Sequence, residues 1–338
     1  MLNGPGAGGG RGPGRPPLSP GGIGSDDAYA RIRNDAGFWE PWVRPALERL
    51  GFSSVGDLRV PGASTSPVLV SSTGLVVKLY GAHWYGPESF AVESEAYRLL
   101  EGTGLPVPNV LARGELYPRS DDWTWPFMVL EAVPGRTWRE ATEDMATPGR
   151  LALARRLGTV LRQVHEVPLS AATGPLRPES TRFADVLRER RAATVADHRE
   201  WGHLPPALLD GVPGFLPEID ALLGDRPPVF VHGDLHGTNL FVGTGPERVS
   251  GLIDFADSYA GDPRYSLVQL HLNAFGADRS LLRAALEGAD WPVPGDFPRQ
   301  MLAFTFLHDF DVLENVPLDL TGVSSLDDLA GLLWDVGS

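Results

Sequence analysis

The chain has 338 residues, with 29 basic and 43 acidic side chains, a formal charge of -14, 42% apolar residues and no cysteine. The absent thiols exclude disulfides, thiolate zinc sites, iron–sulfur ligation and a cysteine nucleophile. The negative charge argues against nucleic acid or an anionic membrane as the main partner.

Residues 1–24 hold ten glycines and five prolines, a composition that predicts a disordered tail. They lack the apolar stretch of a signal peptide, and no apolar run of 18 residues occurs anywhere, so a soluble cytoplasmic protein is expected. Ser25, followed by Asp26 and Asp27, is a natural N-cap for a helix running through Phe38, Trp39 and Trp42 to Leu50. Two strand-like runs follow, 67–70 and 75–80, joined by the turn 71–74 as a hairpin. A helix is expected from about Pro87 to Leu100, then strands near 108–111 and over 126–133. This order predicts a small α+β lobe spanning 25–134, closed by the turn at 133–135. Beyond it, over 135–338, helical periodicity dominates at 149–165, 183–201, 206–223, 264–275, 279–288 and 297–315, interrupted by strands at 229–232, 239–242 and 249–254. No internal repeat is present. The acidic surplus lies here: residues 1–134 carry 11 basic and 14 acidic groups, whereas residues 135–338 carry 18 and 29.

The strongest local signal is FVHGDLHGTNLFV (230–242) followed by VSGLIDFAD (249–257). Strands joined in this way bring Asp234, Asn239 and Asp254 to one end of a small sheet, an oxygen-donor set suited to magnesium carried with a nucleotide's phosphates. Taken alone, His232, Asp234, His236 and Asp254 could instead be a transition-metal cluster of a hydrolase.

The N-terminal half separates these readings. Of 29 basic residues, 28 are arginine and one is lysine, Lys78, which lies within the apolar strand LVVKLY (75–80). A charge is costly to bury there unless paired. At about 100° per residue, Phe90, Tyr97 and Leu100 share one face of the following helix. Glu93 falls within that face, whereas Glu95 is rotated roughly 140° from Phe90. Glu93 is therefore the carboxylate expected to point inward. Gly62–Ser66, with the hydroxyls of Ser64 and Thr65, has the chemistry of a phosphate-capping loop, and an ordinary polar turn would look the same.

The pattern His-x-Asp-x-x-x-x-Asn, then Ile-Asp-Phe, resembles the catalytic loop and metal-binding segment of the aminoglycoside phosphotransferases, relatives of the protein kinases. Segments at 32–41, 59–70, 86–97, 187–202, 231–239, 259–275 and 302–320 resemble, within that family, the hygromycin B phosphotransferases, over about 25–335. The resemblance implies an α+β, bilobal, protein-kinase-like fold with a sheet-rich N-terminal lobe and a mostly helical C-terminal lobe. It implies ATP-dependent phosphorylation of the 7''-hydroxyl of hygromycin B, with Asp234 as catalytic base, Lys78 paired with Glu93 on the phosphates, and Asn239 and Asp254 holding Mg2+. His232 would brace the loop. Ser64 and Thr65 would lie at the phosphates, and the Leu130 carbonyl and Ala132 amide would hold adenine. A polycationic aminoglycoside fits the acidic C-terminal lobe, with Asp257, Asp309, Asp311 and Glu314 as the candidate carboxylates. No nucleic acid, no membrane and a monomer are expected. Asp262 is expected to cap the next helix, and the arginine-rich run 187–200 to be a solvated helix with internal ion pairs.

Overall fold

The computed structural model describes residues 23–118, 123–245 and 248–337. The chain divides into two compact units, one taking in residues of Met1–Phe90 and Asn109–Ala132, the other residues of Ala91–Pro108 and Val133–Ser338.

The first unit opens with two helices, α1 (Asp26–Ile32) and α2 (Ala36–Arg49). A single helix was expected from Ser25; the chain breaks because Asp35 caps a second one, its side chain accepting from the Phe38 amide at 3.2 Å. Strands β1 (Leu58–Arg59), β2 (Val68–Ser71), β3 (Leu75–Leu79), β4 (Val110–Glu115) and β5 (Pro126–Glu131) form an antiparallel sheet in the order β1-β2-β3-β5-β4. The short β1 had no strand signature. Alternation along the strands sends Leu69, Val77, Leu79, Phe127 and Val129 into one core with Tyr29, Trp39, Val43 and Leu47 of the two helices. Lys78, paired with Val68 and Met128, therefore lies on the opposite face. The expected tail falls largely on residues 1–22, outside the described residues. Ile23 had been placed in that tail and is instead buried in this core at 4% exposure.

Helix α3 (Gly86–Leu100) follows β3 and supplies residues to both units. In the second unit, β6 (Arg136–Thr137) leads into α4 (Trp138–Thr142) and the long α5 (Thr147–His165) and α6 (Phe183–Trp201). The single helix expected over 206–223 is three short pieces, α7 (Pro206–Leu209), α8 (Val212–Phe215) and α9 (Ile219–Leu223), since Pro213 and Pro217 interrupt the amide pattern. Next come β7 (Val229–His232), β8 (Leu240–Val242), β9 (Val249–Leu252) and β10 (Ser258–Gly261), followed by α10 (Arg264–Gln269), α11 (Arg279–Gly288), α12 (Phe297–Phe306) and α13 (Leu326–Trp334). The strands make two small sheets, β10-β7 and β6-β8-β9. Helices α5 and α11 approach closely at Gly158 and Gly288, where a Cβ would collide with the Ala285 and Arg155 carbonyls. The arginines of α6 form two internal pairs, Arg188 with Asp185 at 3.0 Å and Arg190 with Asp197 at 2.7 Å, and also reach Asp220, Glu218 and Asp210 beyond the helix. No helix among the described residues is long and apolar enough to cross a membrane.

Candidate active site

In the second unit, β7 ends at His232 and β10 begins at Ser258, its cross-strand partner. The Gly233 amide donates to the Asp257 carbonyl at 2.8 Å. A Cβ on Gly233 would lie 2.5 Å from that oxygen and 3.2 Å from carbons of Tyr259 and Tyr265. Only glycine lets the backbone pass this close, so the turn into Asp234 depends on it.

His232 is fully buried, and both its nitrogens are in use. Nε2 donates to the Ile253 carbonyl at 3.0 Å, and Nδ1 accepts from the Asp234 amide at 3.2 Å. Burial holds its pKa below the ordinary value, against the pull of Asp234 and Asp254, so the ring is a neutral strut between the turn at Asp234 and the turn at Ile253. The Asn239 side-chain amide donates to the Asp234 carbonyl at 3.0 Å and to carboxylate Oδ2 at 3.1 Å. His236 Nε2 stands 3.4 Å from the same oxygen, while its Nδ1 accepts from the Thr238 hydroxyl at 2.9 Å and amide at 3.2 Å. Burial works to lower the His236 pKa, but its contact with Asp234 more than offsets this and raises it.

Asn239 and Asp254 come together through the β8–β9 ladder. Leu240 pairs with Leu252, and the Ile253 amide donates to the Asn239 carbonyl at 3.0 Å. Asp254 holds a left-handed backbone, φ 64°, which costs a non-glycine residue roughly 1 kcal/mol or more and is typical of functional turns. With its NH2 group directed at Asp234, Asn239 keeps Oδ1 as the atom that could meet a cation, and the Asp254 carboxylate is a second hard donor. The residues present therefore fit magnesium. They do not fit the hydrolase cluster: among the described residues no group of three or more histidine, aspartate and glutamate side chains could hold a metal ion. His232 has no nitrogen to spare and His236 has one engaged.

Glu93, on α3 in the second unit, is fully buried, and its Oε1 accepts from the Phe255 amide at 3.2 Å. Phe255 in turn packs on His232, Tyr97 and Phe230. Glu95 carried no functional expectation, yet it too is buried. It accepts from the Thr173, Gly174 and Leu176 amides at 2.5, 2.6 and 2.8 Å. Burial would raise its pKa; those hydrogen bonds, with Arg98, hold it below the ordinary value instead. Only the acidic residue itself signalled this anchor.

The four expected acceptor carboxylates divide. Asp257 and Asp309 both act on the buried hydroxyls of Tyr259 and Tyr265, whose pKa values are pushed up first by burial and then by these charges. The Tyr265 hydroxyl accepts from the Asp309 amide at 3.1 Å. Since Gly233 abuts both tyrosines and Asp257, Asp234, Asp257 and Asp309 gather around one aromatic pair. The Asp309 carboxyl is raised by burial, with Arg190 opposing and Glu189 adding to the shift. Asp311 lies elsewhere, 2.8 Å from His203 Nε2, and Glu314 is exposed, contacted by Asn315 at 3.4 Å. Helix α12, expected to run to residue 315, ends at Phe306. Tyr265 takes the Asp309 amide, His308 Nδ1 the Phe310 amide at 3.3 Å and Asp311 the Leu313 amide at 3.3 Å, offering the backbone an alternative to helix.

His308 was not anticipated. It is buried, stacked on Tyr265 with centroids 4.4 Å apart, and kept neutral by burial, which lowers its pKa to about 3 against a contact from the Gly233 backbone. Asp262 was expected to cap α10; the N-cap is Pro263, and Asp262, one residue before it, accepts from the Arg264 amide at 3.0 Å. It also forms a buried, two-pronged pair with the Arg264 guanidinium at 2.8 and 2.5 Å.

In the first unit, Lys78 is 6% exposed, with Nζ 5.6 Å from the Tyr80 ring centroid. Loop 62–66 precedes β2; Ser64 is half-buried and Thr65 exposed. The Ser64 amide is already committed to Asn34 Oδ1 at 3.2 Å. The backbone groups expected at adenine, the Leu130 carbonyl and the Ala132 amide, pair within the sheet. The Ala132 amide donates to the Gly74 carbonyl at 2.9 Å, and Leu130, two residues earlier, faces Val76 of β3 and Val110 of β4 within the sheet. The alternation of an antiparallel ladder then directs both polar backbone groups of Leu130 at Val76.

Residues 59–299 match the model of APH, the phosphotransferase enzyme family. The chain belongs to that family. It is 23% identical over 240 residues to the lysine-specific demethylase JMJ21 of Arabidopsis thaliana, covering 60% of this chain and 25% of that protein. It is 31% identical over 181 residues to an aminoglycoside 3'-phosphotransferase of Streptomyces fradiae, covering 49% of this chain and 58% of the relative. The chain thus spans less than two thirds of the length of these curated relatives. Among solved structures, the GDP and kanamycin complex of an APH(2'') enzyme superposes with a TM-score of 0.61 at 17% identity, covering 77% of this chain and 86% of the other. The fold of this family member is accordingly α+β and protein-kinase-like, with a sheet-rich N-terminal region and a helical C-terminal part.

Proposed function

We propose that the chain is an ATP-dependent aminoglycoside O-phosphotransferase that phosphorylates hygromycin B at its 7''-hydroxyl and so confers resistance. The observation that carries this reading is the gathering of Asp257 and Asp309 around Tyr259 and Tyr265, beside the loop that presents Asp234. Two carboxylates beside a candidate base suit an acceptor that brings both hydroxyls and ammonium groups. Membership of the phosphotransferase family and the 3'-phosphotransferase relative support the reaction class. The hygromycin B segments named above support the particular drug.

Asp234 is assigned the acceptor hydroxyl. The Asn239 amide holds one of its carboxylate oxygens, leaving the other to orient the hydroxyl and take its proton as the new phosphate ester forms. His232 and Gly233 fix the backbone from which Asp234 projects, and Glu93 fixes the turn at Phe255 that follows Asp254. Asn239 and Asp254 would hold magnesium, which when bound neutralises charge on the phosphate oxygens. Lys78, the single ammonium, is assigned to the α- and β-phosphates. Asp257 and Asp309 are assigned to drug ammonium groups; Asp311, engaged by His203, and Glu314, exposed, are not. The protein is read as a cytoplasmic monomer, working where ATP is made.

The test is ADP release by the purified full-length chain with ATP and magnesium, across a panel containing hygromycin B, kanamycin and an uncharged alcohol. Release that requires hygromycin B supports the assignment. Turnover with the uncharged alcohol alone would move it to a different small-molecule kinase, and phosphate release without any acceptor would move it to a hydrolase.

A further inference from the structure

The turn between α1 and α2 grips the loop that precedes β2. Tyr29 donates its hydroxyl to the Thr65 carbonyl at 3.1 Å, Arg33 Nη1 donates to the Ser64 carbonyl at 2.7 Å, and Asn34 Oδ1 accepts from the Ser64 amide at 3.2 Å. Three side chains within six residues thus hold three successive peptide units, all through main-chain atoms of the loop and across 30 or more residues of sequence. Backing the grip is an aromatic group. The Arg33 guanidinium lies 4.6 Å from the Trp84 ring centroid, and Tyr29 meets Trp84 edge-on and stacks on His83. His83 is held by Asp26 and the Ile23 carbonyl, each at 2.8 Å. Trp84 and Tyr85 both adopt left-handed backbones, φ 51° and 59°, a local cost that persists only where surrounding contacts enforce it.

Packing alone does not require these hydrogen bonds to the loop. Tyr29 is buried in the core, so its hydroxyl could have been a phenylalanine hydrogen if area were all that mattered. Burial pushes the Tyr29 pKa well above its ordinary value, so the hydroxyl remains a donor throughout the accessible pH range. A loop of Gly62-Ala-Ser-Thr-Ser66 without such restraints would have many conformations to lose on binding a polyanion.

We propose that Tyr29, Arg33 and Asn34 are positioning residues for the nucleotide: a clamp supplied by the N-terminal helices that preorganises loop 62–66 for the triphosphate. The clamp rests on the kinase reading, specifically on the assignment of loop 62–66 to phosphate. Its residues act through the loop backbone and touch neither acceptor nor reacting atoms. Nucleotide affinity should therefore depend on them while acceptor affinity does not.

The experiment compares the wild-type chain with Arg33→Ala, Asn34→Ala and Tyr29→Phe, measuring ATP binding by calorimetry, KM for ATP and for hygromycin B, and amide hydrogen exchange over 62–66. Arg33→Ala and Asn34→Ala are expected to raise the Kd and KM for ATP about tenfold, with KM for hygromycin B within about twofold and faster exchange in the loop. Tyr29→Phe keeps the ring and its packing, which guards against misfolding, and is expected to raise the ATP Kd about threefold to fivefold. Unchanged ATP binding in all three folded variants, with normal binding by the wild type, would overturn the clamp and leave the kinase reading standing. Equal increases in both KM values would also overturn it, by marking a general loss of structure. A wild-type chain that binds no nucleotide would overturn both.

Discussion

Two stretches of the second unit carry the candidate carboxylates, and they are built differently. Around Asp234, Asn239 and Asp254, residues 232–257 are spaced by strands: β7, β8, β9 and β10 fix which backbone atoms face one another, and the side chains follow from the register. Around Asp309, Asp311 and Glu314, no ladder sets the spacing. Residues 307–315 are held by side chains from distant elements, Tyr265, His203 and Arg190, the last donating to the His308 carbonyl at 3.1 Å. A register makes neighbouring residues share one task. Capture by separate partners lets three acidic residues within six positions have three different environments.

The largest effect should come from the ladder-built stretch. Asp234→Asn keeps the hydrogen-bonding shape but removes the base, and turnover is expected to fall about 100-fold to 10,000-fold with the ATP Kd within a few-fold, read by steady-state kinetics and calorimetry. Gly233→Ala should follow: the added Cβ must displace the Asp257 carbonyl, and misplacing the base by a fraction of an ångström is expected to cost about 100-fold in turnover. A variant with native turnover would show that the close approach is not functional. In the other stretch, Asp309→Asn is expected to raise KM for the drug about tenfold, the loss of one charge-assisted contact. Asp311→Asn should leave KM within about twofold and instead lower stability by about 1 kcal/mol through the His203 contact, measured by urea unfolding. Reversed behaviour of this pair would exchange their roles.

The remaining effect is one of pH. Burial depresses the pKa of His165 and His308 to about 3 and of His198 and His271 to about 4, and it lowers that of His232 as well. In the unfolded chain each would titrate near 6.5. The unfolded state then binds more protons below that pH, so the stability these groups contribute is complete above about pH 6.5 and is lost progressively towards pH 3 to 4. His236, raised by Asp234, runs the other way. Thermal melts between pH 8 and 5 should show Tm falling with pH, and a Tm that rises on acidification would contradict the neutral state assigned to His232 and His308.

Much of the first stretch was legible in the sequence because short-range spacing determines it. The intervals from Asp234 to Asn239 and on to Asp254 are turn and strand lengths, and the inward face at Glu93 follows from helical period. Lys78 was conspicuous as the single lysine within an apolar strand, and the register of that strand gives the face it occupies. What stayed hidden depends on long-range partners. Nothing near Glu95 announces three amides from 173–176, nothing near His308 announces Gly233, and nothing in 62–66 announces Tyr29, Arg33 and Asn34. The helix read through 307–315 failed partly for that reason, since the distant Tyr265 takes the Asp309 amide, and partly through the local competition of His308 and Asp311 for the Phe310 and Leu313 amides. The Leu130 and Ala132 assignments rest on resemblance alone, because backbone groups leave no side-chain signature in the sequence.

Mass spectrometry of hygromycin B after incubation with the full-length chain, ATP and magnesium tests the central claim most directly. A mass gain of one phosphoryl group, located at the 7''-oxygen by phosphorus NMR and lost in Asp234→Asn, is the expected result. An unchanged drug mass in the presence of a folded, nucleotide-binding chain would contradict the assignment.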